Sequence, residues 1–142
     1  MSEEGIAANA TMTSSCYHFG LAKISFIVDT GSPETVISET DALRLNLPLN
    51  SLPFVKHIRL GGSVYELKKV RDIKLFFKDE ENKIQTIIFD DLLVSVSTKE
   101  DTISKQIAQA LPSIMGLNFL SRNRFKLCCI PHKNIAYFES TD

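Results

Sequence analysis

The sequence predicts an all-β, β-dominated domain of barrel type carrying two or three short helices, and three observations support that expectation. Runs rich in Val, Ile, Thr, Phe and Tyr recur along the chain, divided by Gly, Pro, Asn and charged clusters. Only two stretches combine a helix-start pattern with apolar residues at helical spacing, and both are short. No internal repeat or low-complexity segment interrupts the series. At 142 residues with 44% hydrophobic content the chain is sized for one core. Residues 1–10, small, polar and acidic, are expected to be a flexible tail, and residues 11–142 the folded domain.

The elements follow in order. Thr11 to Val28 reads as two strands joined around His18 to Ala22, the second ending abruptly at Asp29-Thr30-Gly31-Ser32-Pro33. An apolar patch at Thr35-Val36-Ile37 precedes Ser38-Glu39-Thr40-Asp41, a capping pattern that starts a short helix to about Leu45. After a connector bracketed by Pro48 and Pro53, Phe54 to Leu60 and Ser63 to Leu67 flank Gly61-Gly62, a pair suited to a two-residue hairpin turn. Val70 to Phe77 and Ile84 to Val96, separated by the charged run 78–83, read as a second, larger hairpin. Thr98-Lys99-Glu100-Asp101 caps a helix from about Lys99 to Ala110, with Ile103, Ile107, Ala108 and Leu111 on its apolar face. Strand-like Phe125 to Ile130 and Ile135 to Phe138 close the chain, with Cys128 and Cys129 expected to act as small buried hydrophobes.

Sixteen Lys and Arg against seventeen Asp and Glu leave a net charge of -1, which offers no electrostatic footprint for nucleic acid or an anionic membrane surface. The apolar runs fall far short of the roughly 20 residues of a spanning helix. The acidic start lacks a secretory pattern, and three Cys cannot build a disulfide scaffold, so a cytoplasmic protein with reduced thiols is expected.

The segment that points to chemistry is Phe26-Ile27-Val28-Asp29-Thr30-Gly31-Ser32, where an apolar strand runs directly into a carboxylate and a tight turn. With each residue at roughly 5–7% usage, Asp-Thr-Gly arises by chance in only about 3% of chains this long. Delivering an acid from an apolar strand is costly unless the acid is hydrogen-bonded or paired.

Around this segment the chain resembles the retropepsin-like aspartic proteases over about residues 11–140. Phe26 to Ser32 is similar to the family's active-site strand and turn, and Thr35-Val36-Ile37-Ser38 followed by a short helix to what comes next. Ser113-Ile114-Met115-Gly116-Leu117-Asn118-Phe119-Leu120 is similar to its hydrophobic-hydrophobic-Gly segment. Leu60-Gly61-Gly62-Ser63-Val64-Tyr65 occupies the place of the flap. The resemblance implies an aspartic endopeptidase with the corresponding acid-protease barrel, acting on peptide or protein substrate without cofactor or metal. Asp29 would be catalytic, Thr30 would tie two subunits together beneath the acids, and Gly31 would admit the substrate backbone. Gly61, Gly62, Ser63, Val64 and Tyr65 would form the flap, and Gly116 would be a packing glycine.

That chemistry needs two carboxylates, and the chain holds one such motif. Asp41, Asp72, Asp79 and Asp101 stand in capping, charged or turn contexts, and Asp90-Asp91 ends a strand with no Gly behind it. The second acid is therefore expected from another copy in a two-fold homodimer. Ser32 is expected to donate to an Asp29 oxygen, favouring the charged form and an acidic optimum. Two departures from the shortest relatives, Pro33 and the segment 97–112, bear on access to the cleft. The rival reading is a weak or inactive module of the same fold that dimerises or binds peptides. A zinc site assembled from Cys16, His18, Cys128, Cys129 and His132 is a third, minor alternative.

Overall fold

The computed structural model describes residues 6–60, 62–133 and 135–141. Eleven strands, three α-helices and two 3-10 turns occur in chain order. The first five strands are β1 (Ala7–Ser14), β2 (Ala22–Val28), β3 (Thr35–Ile37), β4 (Phe54–Leu60) and β5 (Ser63–Lys69), with helix α1 (Glu39–Arg44) between β3 and β4. Then come β6 (Ile73–Lys78), β7 (Ile84–Ile88), β8 (Leu92–Ser97), helix α2 (Thr102–Ala110), β9 (Ser113–Met115), helix α3 (Leu117–Arg122), β10 (Phe125–Ile130) and β11 (Ile135–Ser140). Nine strands form one sheet in the order β4-β5-β8-β3-β9-β2-β1-β6-β7, and β10 pairs with β11 in a separate hairpin. The β-dominated class expected from the residues is the observed one.

Alternation builds the sheet. In β2, Ile24 and Phe26 point inward and Lys23 and Ser25 outward. The buried set Met12, Phe26, Ile37, Leu75, Leu92, Val94, Met115 and Phe119 joins β1, β2, β3, β6, β8, β9 and α3 in one core. Phe119 is its aromatic centre, with ring centroids 5.5–6.0 Å from Phe77, Phe89, Phe125 and Phe138. Through these contacts the β10–β11 hairpin is held to the main sheet although it shares no ladder with it.

Several expectations need correction. The stretch expected to be a tail contains the first half of β1: Ala7 to Ala10 pair with Ile27 to Ile24, and Ile6 O accepts the Val28 N–H at 2.7 Å. Ala8 and Ala10 continue the inward row of Met12, but alanine carries too little hydrophobic signal to reveal it. The larger hairpin is split. β6 pairs with β7 and, on its other side, with β1, and after a turn at Phe89–Asp91 the chain enters β8, which runs antiparallel to β5 and parallel to β3. The helix α2 starts later than expected, with Asp101 as its cap, and only part of its expected apolar face is covered: Ala108 is buried, while Ile103 and Ile107 are exposed. The cause is polar. Glu39, buried to 3% exposure in the first turn of α1, accepts from the Ser97 N–H and from Lys105 Nζ, and that ion pair draws the Lys105 side of α2 inward. Cys129 is exposed and Cys128 half-buried, because a two-stranded hairpin covers only one face.

The Asp101 carboxyl is held below its ordinary range by the Ser104 N–H and hydroxyl, and Asp79 likewise by Gln85 and the N–H groups of its turn. A depressed acid contributes stability above its unfolded value, about 3.9, and that contribution disappears as pH falls through the lower folded value. Strongly acidic solution should therefore fray the start of α2, visible as faster amide exchange at residues 102–105, and Asp101→Asn should remove the pH dependence. Phe119→Ala should lower unfolding stability by about 3–5 kcal/mol, measured by denaturant midpoint.

Candidate active site

β2 and β9 run parallel, and Phe26, Ile27 and Val28 lie beside Ser113, Ile114 and Met115. β3 lies on the other side of β9, touching it at Val36 and Ile114. To pass from β2 to β3 the chain must therefore cross the end of β9, and residues 29–34 make that crossing. Asp29 N–H donates to Met115 O at 3.0 Å, while Leu117 and Asn118 N–H donate back to Ser32 O at 2.8 Å and Pro33 O at 3.2 Å. The loop thus rests directly on the β9–α3 junction.

Gly116 makes this possible. A Cβ there would lie 2.1 Å from Glu34 O and 2.6 Å from Ser32 O, inside any tolerable contact. Its N–H donates to Thr35 Oγ1 at 3.1 Å, and that hydroxyl donates to Asn118 Oδ1 at 2.7 Å. Thr35 and Asn118 were not singled out from sequence. The signal was weak, a Thr opening an apolar patch and an Asn two residues after a glycine.

On this platform Asp29 stands exposed at the end of β2, and its Oδ1 accepts the Gly31 N–H at 2.9 Å. Thr30 and Gly31 are exposed beside it. Strand geometry thus brings the acid and its turn to the surface, which removes the burial cost that the apolar strand suggested. Ser32 behaves differently from expectation. Its hydroxyl donates to Glu34 O at 2.9 Å and accepts the Glu34 N–H at 3.4 Å, so its single proton is committed to the turn and not to Asp29.

The other aspartates serve the scaffold. Asp41 accepts the Ser113 hydroxyl at 2.6 Å and pairs with Arg44, Asp72 accepts Cys16 Sγ–H, and Asp79 and Asp101 close a turn and cap a helix. Among the described residues no other aspartate bonds into the Asp29 turn. A cavity of about 720 Å³ between β1, β6, β7 and the β10–β11 hairpin reaches Val28 but not Asp29.

β4 and β5 form the expected hairpin, with Leu60 opposite Ser63. Gly61 lies outside the described residues; Gly62 has φ +82°, the left-handed region that glycine adopts without strain. Ser63 and Val64 are half-buried, and Val64 O accepts the Thr98 hydroxyl at 2.9 Å. Tyr65 is 2% exposed and has no surface to offer a ligand, because its position on β5 points into the sheet's covered face beside β8. The segment 97–112 packs α2 against α1 and β8. Cys16 and Cys128 donate to different carboxylates, Asp72 and Glu139, and among the described residues no three His, Cys, Asp or Glu side chains gather as metal ligands.

A family model described as aspartyl protease matches residues 15–119, which takes in every element from the β1–β2 turn to the middle of α3. Among solved structures the chain is similar to a retropepsin-like aspartic protease from Rickettsia conorii, with a TM-score of 0.53 and 15% identity over 93% of this chain and 82% of that one. The likeness extends to the fold. No curated protein matches the sequence.

Gly116→Ala should cost about 3 kcal/mol or more, the upper end for overpacking, since backbone atoms cannot swing aside. Ser32→Ala should cost about 1 kcal/mol in denaturant titration and leave the acid limb of any pH–rate profile where it is.

Proposed function

The chain belongs to the aspartyl protease family, and from that premise we propose that it is an endopeptidase whose active site is completed by a second copy of itself. The observation that carries this reading is the Asp29 turn. One exposed carboxylate, held by the Gly31 N–H on a loop packed against Gly116, has no acid partner among the described residues. An isologous contact brings a residue near the two-fold axis against its own counterpart, so a symmetric dimer supplies the missing group without any new residue type.

Two carboxylates at about 3 Å cannot both ionise and share one proton. The charged member takes a proton from water as the water attacks the scissile carbonyl carbon, and the protonated member donates to the carbonyl oxygen, giving a neutral diol. Collapse of the diol returns a proton to the acid pair while the amide nitrogen leaves protonated. No covalent enzyme intermediate forms. Thr30, exposed next to Asp29, would tie the two turns together across the axis, and Gly31, lacking a side chain, would let a peptide backbone approach. The β4–β5 hairpin, through Gly62, Ser63 and Val64, would close over an extended peptide and pair with its main chain. Because one member of the pair must be ionised and the other protonated, activity should peak on the acid side of neutrality. Three free cysteines and balanced charge are in keeping with a reducing cytoplasmic setting.

Cleavage of a denatured protein at mildly acidic pH should vanish in Asp29→Asn, and statine-type transition-state mimics should bind far more tightly than substrate. Activity per chain should rise with concentration in step with a monomer–dimer transition seen by sedimentation. Undiminished cleavage by Asp29→Asn would refute the proposal; a dimer that binds peptide without cleaving it would favour the inactive module of the same fold.

A further inference from the structure

Glu34 ends the active-site loop on a backbone with no room to move. Its carbonyl oxygen fills the space beside Gly116 and accepts the Ser32 hydroxyl, and the two carbonyls before it are bound by Leu117 and Asn118. β4 is in the opposite situation. It is one of the two edge strands of the nine, with β5 as its one neighbour in the sheet, and the ladder between them shifts register between Phe54 and Lys56. At that irregularity Lys56 Nζ reaches across to Glu34 Oε1 and forms an ion pair. Among the described residues it is the one ion pair or hydrogen bond recorded between the loop 29–34 and the hairpin 54–69.

We infer that Lys56 and Glu34 are positioning residues, a tether that sets the angle of the β4–β5 hairpin relative to the Asp29 turn. This rests on the peptidase reading above and deepens it. From Lys56 to Leu60 the strand extends about 13 Å, so a rotation at the base becomes a larger displacement toward the tip. A register shift leaves the base of β4 with fewer backbone bonds to resist such rotation. The ion pair supplies the restraint from the side, anchored in the most rigid part of the loop. Both side chains are partly exposed, 48% for Lys56 and 26% for Glu34, so the restraint is modest and salt-sensitive. A modest bias is what a hairpin that must both open and close requires, since a strong one would lock it in a single position.

The test uses the full chain with Lys56→Met, Lys56→Arg and the exchanged pair Glu34→Lys with Lys56→Glu. In the unliganded protein, amide exchange over residues 55–60 should quicken in Lys56→Met and return towards the original rate in Lys56→Arg and in the exchanged pair. With an extended peptide, Lys56→Met should raise KM about two- to fivefold, the range an exposed ion pair can supply, and leave kcat within about twofold. Raising NaCl should increase KM in the unaltered protein and have much less effect in Lys56→Met. Unchanged exchange in Lys56→Met, or an exchanged pair that restores neither quantity, would overturn the inference. If the unaltered protein cleaves no peptide, the peptidase reading falls and the exchange rates alone decide the tether.

Discussion

The close approach between the β9–α3 junction and the loop that carries Asp29 is the contact on which the rest of the site depends. β9 lies between β2 and β3 in the sheet, so the chain joining β2 to β3 must climb over it, and there is space for that crossing only where the underlying residue has no side chain. Gly116 is that residue. The backbone bonds from Leu117 and Asn118 to Ser32 and Pro33, and the relay from Gly116 N–H through Thr35 to Asn118, then convert a close approach into a fixed one. An exposed acid on a mobile loop would have no defined orientation. Here the strand, the crossing and the glycine together give Asp29 a constant position at the molecular surface.

Surface exposure of that acid follows from the same arrangement and shapes the functional reading. Among the described residues, Asp29 meets the Gly31 N–H and turn backbone, not a second carboxylate. The hairpin over residues 54–69 is joined to the rest of the sheet along one side only, through β5 and β8.

The end of the chain is organised by packing, not by pairing. β10 and β11 bond to each other and to no strand of the large sheet, and their place is set by Phe125 and Phe138 stacking on one another and against Phe119. Phe119 sits in α3, three residues beyond Gly116, so the aromatic cluster that secures the hairpin also secures the helix that begins at the active-site platform. A buried carboxylate does comparable work at α2: Glu39, bound by Ser97 and Lys105, decides which side of that helix faces inward, against the preference of Ile103 and Ile107 for burial.

What the residues determined alone were the local and the categorical features. Alternating apolar strands, the Ser38 cap of α1, the hairpin that pairs Leu60 with Ser63, and the Asp-Thr-Gly segment at a strand end were all legible, because each depends on neighbours within a few positions. Tertiary structure decided everything that depends on which partner a segment finds. Ala7 to Ala10 became strand because β2 offered an edge; Ile84 to Val96 was divided because β8 found β3 and β5; Tyr65 was covered and Ile103 left in water by neighbours distant in sequence. The Ser32 hydroxyl, expected on the Asp29 carboxylate, donates instead to the Glu34 carbonyl, in the loop that crosses over Gly116. Periodicity records which face of an element is apolar, but not which long-range contact will compete for it.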